Sequence, residues 1–152
     1  HNGSVWPHDN ALIVAGLRRY GLVEVAQRVA VDVLAAAESY GGRLPELMCG
    51  FDRSAHSGPV PYPTSCSPQA WAAATPGFLL RTLLGIDPCL PRGRLRIDPA
   101  LPPEIGSVRL SGLPLGDARV LVEAGVGELR VEGLPEGVEL VRGSRPHAGG
   151  PR

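Results

Sequence analysis

The chain has 152 residues, enough for one ordinary domain or the end of a larger one. Hydrophobic residues make up 43% and charged residues 20%, which excludes a disordered or fibrous chain. Fifteen basic residues, all arginine, balance fifteen acidic ones. No basic field points to nucleic acid, and no apolar stretch is long enough to span a bilayer.

The sequence opens on His1 rather than Met, inside a dense polar and aromatic run, so we expect a fragment of a longer protein. Asp9 or Asn10 caps a first helix running to Tyr20, with Leu12, Ile13 and Leu17 on one face and Gly21 as the stop. A second helix fits Val23 to Tyr40, with Val23, Ala26, Val29, Ala30, Val33, Leu34 and Ala37 at three- and four-residue spacing. Gly41 and Gly42 end it. About 25 residues follow, Gly42 to Cys66, rich in Pro, Gly, Ser and aromatics. A connection this long inside a compact domain is usually functional.

Ser67 as N-cap and Pro68 as first helical residue start a third helix, which Pro76 should kink near Ala72 to Thr75. After Pro91 the texture changes to short alternating runs: Leu95 to Asp98, Ser107 to Ser111, Arg119 to Glu123, Glu128 to Glu132 and Val138 to Val141. Gly and Pro punctuate them at intervals typical of a small antiparallel β-structure. The organisation expected is helices over 1–90, a β-rich extension over 91–142 and a loose tail over 143–152. Three helices alone do not close a core, which supports the fragment reading. Cys49, Cys66 and Cys89 are odd in number with no close pair, which favours free thiols and a reducing, cytoplasmic setting.

Chemistry concentrates in three places: Asn2 to Asn10 with Trp6, His8 and Asp9; Leu44-Pro45-Glu46-Leu47; and Pro61 to Trp71 with Gln69. All lie at helix starts or on the long loop. Aromatic faces (Trp6, Tyr62, Trp71), amides (Asn10, Gln69) and a carboxylate in a partly dry setting are what a sugar site needs. Other roles compete with these. Asp9 suits a helix cap, Trp71 suits a core position beside Ala72 to Ala74, and Arg53 and His56 suit solvent. Cys49, His56 and Cys66 are separated by six and nine residues, which matches no familiar zinc module, so no metal is expected.

The strings His1-Asn2-Gly3-Ser4-Val5-Trp6-Pro7-His8-Asp9-Asn10-Ala11-Leu12, Leu44-Pro45-Glu46-Leu47 and Pro63-Thr64-Ser65-Cys66-Ser67-Pro68-Gln69-Ala70-Trp71 resemble the amylo-α-1,6-glucosidase (glycogen-debranching) family. Order and approximate spacing are kept over roughly residues 1–87. The β-rich remainder is similar to the C-terminal extension of bacterial members. The resemblance implies an α-rich fold, the closing helices of an (α/α)6 toroid followed by a small antiparallel β region. It implies inverting hydrolysis of α-1,6-glucosidic branch points, with Glu46 as general base and no cofactor. The general acid falls on an earlier barrel segment that has no counterpart in this sequence. Trp6, His8, Asp9, Gln69 and Trp71 are then substrate-binding candidates. The partners implied are an oligo- or polysaccharide and the missing N-terminal barrel, with no nucleic acid and no membrane.

Two alternatives stay open: a glycosidase for another α-linked sugar such as a mannoside, and a non-catalytic structural or carbohydrate-binding piece. Against the β-rich half as the binding part, residues 88–152 contain no Trp, Tyr or Phe.

Overall fold

The computed structural model describes residues 3–143. His1, Asn2 and all of the expected 143–152 tail but Gly143 lie outside the described residues. The chain divides into two compact units at Leu80 and Arg81.

In the first unit, β1 (Ser4–Val5) leads into α1 (Pro7–Arg19), α2 (Val23–Glu38) follows, and β2 (Met48–Cys49) returns to pair antiparallel with β1. Helix α3 (Ala70–Leu84) begins in this unit. Pro7 opens α1 because the first helical turn needs no N–H there and proline already has a helical φ. Helices α1 and α2 pack together, and the buried stripe of α2 is Ala26, Ala30, Val33 and Ala37, the spacing read from the sequence. On α1 the buried residues are Pro7, Ala11 and Val14, whereas Leu12 and Ile13 are 62% and 54% exposed. The expected Leu12–Ile13–Leu17 face is therefore corrected at Leu12 and Ile13, while Leu17 is half-buried. Close approach of two helices selects the small side chains and turns the larger ones away. Loop residues complete this core: Leu44 and Leu47 are fully enclosed and Met48 nearly so.

The second unit is built from strands. Its sheets are β3 (Asp87–Cys89), β4 (Arg94–Ile97) and β8 (Glu139–Arg142), and β5 (Val108–Leu115), β6 (Ala118–Ala124) and β7 (Leu129–Glu132). Leu84, Ile86, Leu95, Ile97, Val120 and Val122 form its core. Alternation along β6, with Val120, Val122 and Ala124 buried, is the period-two pattern of a half-buried strand. A register shift between Leu110 and Leu113 puts a bulge in β5.

The architecture corrects the α-rich expectation. Among the described residues, three helices and eight strands in three sheets make a mixed α/β fold, 35% helical and 25% strand, not the closing arc of an (α/α)6 toroid. Beyond Ile86, glycine and proline divide the apolar residues into runs too short for helices, and the backbone groups are satisfied by strand pairing instead. The β region is not wholly antiparallel either. Strand β4 pairs antiparallel with β3 but parallel with β8. Beside that pair, Gly93 has φ +58°, and a Cβ there would stand 2.6 Å from the Gly137 carbonyl oxygen. Glycine is required on both counts.

Candidate functional site

The three motif segments meet within the first unit. The β1–β2 ladder sets Ser4 opposite Cys49 and Val5 opposite Met48, which carries Trp6 and Glu46 toward the same end of the ladder. The third segment is stitched to the second by three hydrogen bonds. The Glu46 amide donates to the Cys66 carbonyl at 3.0 Å, the Leu47 amide to Ser65 Oγ at 3.2 Å, and the Cys66 amide to Glu46 Oε2 at 3.1 Å. Glu46 itself is half-buried, between the enclosed Pro45 and Leu47. One oxygen of its carboxylate is thus fixed by a backbone N–H, and Oε1 has no protein partner among the described residues.

His8 joins the first segment to the third. Its ring lies 5.7 Å from Trp6 edge-on and 4.8 Å from Trp71 at 62°. Its Nε2 stands 3.1 Å from Asp9 Oδ1, with the His8 side chain 16% exposed and that of Asp9 58%. Nδ1 is buried and makes no hydrogen bond among the described residues. Trp71 is 64% exposed while its neighbour Ala72 is fully enclosed, so the indole is on the surface and not in the core. Trp6 is half-buried.

The helix caps differ from expectation for the same residues. Trp6 occupies the N-cap of α1 without a side-chain cap bond, and Asn10 Nδ2 donates back to the Trp6 carbonyl at 2.9 Å. Asp9 lies in the first turn, where its charge complements the helix dipole without capping. Helix α3 begins at Ala70 rather than Pro68, and the cap is made by Gln69, whose Oε1 accepts from the Ala72 amide at 2.8 Å. Gln69 is engaged in holding the helix start.

Sequence reasoning missed the clamp on Glu46. Ser65 and the Cys66 amide lie 18 and 20 residues from their partners, and no local pattern announces the pairing. It also passed over Phe51, whose ring stacks with His56 at 5.2 Å. The only local signal was Asp52-Arg53-Ser54, where Asp52 Oδ1 accepts from the Ser54 amide at 2.8 Å and starts a short 3-10 turn. The Ser54 hydroxyl, and then this backbone bond, hold the Asp52 carboxyl below its ordinary range. Arg53 is fastened to Asp32 on α2 at 2.8 Å.

No group of three or more His, Cys, Asp or Glu is arranged to hold a metal ion among the described residues. No helix among them is long and apolar enough to cross a membrane. No family model matches the chain, and no curated protein matches it.

Proposed function

We propose that this chain supplies the general base of an inverting glycoside hydrolase that cleaves α-1,6-glucosidic branch points of glycogen-like glucans. Glu46 carries the reading. Its carboxylate is held by one oxygen to the Cys66 amide and keeps the other open, which is the state a base needs if it is to orient and deprotonate a water molecule. In the proposed step that water loses a proton to Glu46 as its oxygen bonds the anomeric carbon. The glycosidic bond breaks on the opposite face, and its oxygen is protonated by an acid from outside these residues. The two carboxyl groups of such a pair stand about 6.5–9.5 Å apart, with the water between them.

The Trp6–His8–Trp71 aromatic group supports a sugar ligand in particular. Aromatic faces cover the C–H face of a pyranose, and the Trp71 indole, 64% exposed, is open to one. Free thiols at Cys49, Cys66 and Cys89 support a cytoplasmic location.

Proton NMR of the full-length protein acting on branched α-1,6 oligosaccharides tests the proposal. The first product anomer is expected to be β-glucose. Release of α-glucose first, or cleavage of α-mannosides with the α-1,6-glucoside untouched, contradicts it.

A further inference from the structure

A concavity lies in the first unit, between α2 and the chain from Met48 to Val60, with a volume of about 520 Å³. That falls within the roughly 300–1,000 Å³ typical of small-molecule sites. Glu46, His8 and Trp71 do not line it.

Its walls have two distinct chemistries. Val29, Val33, Met48 and Val60 contribute an apolar floor. Phe51 and His56 lie above as adjoining plates, 5.2 Å apart and tilted by 31°, and Phe51 is 61% exposed. An aromatic this exposed is not there to fill the core. Polar groups form the rest: Asp32, Ser39, Asp52, Arg53 and Ser57. The exposed Arg53–Asp32 bridge links the loop to α2 across the cavity. Besides the His56 ring, the lining carries two carboxylates and one guanidinium. Two carboxylates against one guanidinium disfavour an anionic ligand, and the polar part of the lining offers nothing to a wholly apolar one. A neutral polyhydroxylated ring satisfies both walls, its C–H face on the plates and its hydroxyls on the carboxylates.

We infer that this cavity is a glycosyl-binding site distinct from Glu46, taking a neutral sugar unit of an oligosaccharide against Phe51 and His56. The choice of an α-glucan as ligand rests on the hydrolase reading; the neutral-sugar chemistry does not.

The test is isothermal titration of the full-length protein with maltohexaose, comparing wild type, Phe51→Ala, Gly58→Trp and Glu46→Gln. Gly58 lines the cavity, and a Cβ there meets only Ser39 Oγ at an ordinary 3.7 Å, so a bulky side chain enters the space without a backbone clash. Phe51→Ala is expected to weaken binding roughly tenfold, as loss of an aromatic platform does. Gly58→Trp is expected to block binding at this site, with an unchanged far-ultraviolet dichroism spectrum and melting temperature. Glu46→Gln is expected to leave the affinity within about twofold. If both cavity variants bind maltohexaose as wild type does, or if wild type binds neither maltohexaose nor a neutral manno-oligosaccharide, the inference is wrong. Turnover surviving in Glu46→Gln, with the Phe51 dependence of binding intact, sinks the hydrolase reading alone and supports the binding site.

Discussion

A carboxylate that takes a proton from water has to be held without being saturated, and the single amide bond from Cys66 to Glu46 meets that condition. Other residues in the same unit are constrained in ways that solution measurements can read. Tyr40 Oη is buried with no hydrogen-bond partner among the described residues. Burial pushes its phenol above the ordinary 10.0, and the neighbouring Cys49 adds to this. Tyr40→Phe removes an unsatisfied hydroxyl, so urea unfolding near neutral pH should give equal stability or a gain of up to about 1 kcal/mol. The pH dependence has a definite sign. A folded-state pKa above the unfolded value gives stability that is complete below the unfolded value and is lost as pH rises through the folded one. The wild type should therefore lose more stability than Tyr40→Phe as pH climbs past about 10.

Gly50 is constrained differently. A Cβ on it would overlap the Gly3 carbonyl, backbone against backbone, next to the β1–β2 ladder. Gly50→Ala is expected to cost about 1–3 kcal/mol by the same measurement, the usual cost of overpacking.

The elements were legible where a pattern is local. Apolar spacing marks α2 because the buried residues Ala26, Ala30, Val33 and Ala37 repeat along one face. The five alternating runs after Pro91 all lie within observed strands or overlap them. What the sequence hid are choices made by partners. Leu12 and Ile13 look like core until α2 approaches and selects Ala11 and Val14. Ser67-Pro68 looks like a helix start, yet Gln69 makes the cap. Gln69→Ala should accordingly cost about 0.5–2 kcal/mol, the range for a lost cap, measured by thermal unfolding. In the second unit Glu123 stands opposite Arg109 on β5 and Arg130 on β7 and bonds to both. Glu123→Gln leaves two guanidinium groups facing a neutral side chain. The expected loss is about 0.5–1 kcal/mol at low salt and should shrink in about 1 M salt, where exposed pairs are screened.

For the whole molecule, composition excluded disorder and membrane-spanning helices, but it could not yield the architecture. Short strands paired across long separations, such as Arg94–Ile97 with Glu139–Arg142, leave no periodic signature that distinguishes parallel from antiparallel partners. The toroid was inferred from resemblance, and the mixed α/β chain replaces it. The candidate site was more legible than the fold, because its residues sit in contiguous strings. Trp6, His8 and Trp71 meet ring to ring, and Glu46 is clamped by the string that contains Gln69. The clamp, built largely from backbone groups distant in sequence, and the exposed Phe51 ring escaped notice.

The central claim is that Glu46 acts as the base. Its most direct test measures turnover and oligosaccharide affinity side by side for Glu46→Gln in the full-length protein, a change that keeps shape and removes the basic oxygen. The account predicts a fall in turnover of roughly 10²- to 10⁴-fold with affinity nearly unchanged. Turnover within a few-fold of wild type would contradict it.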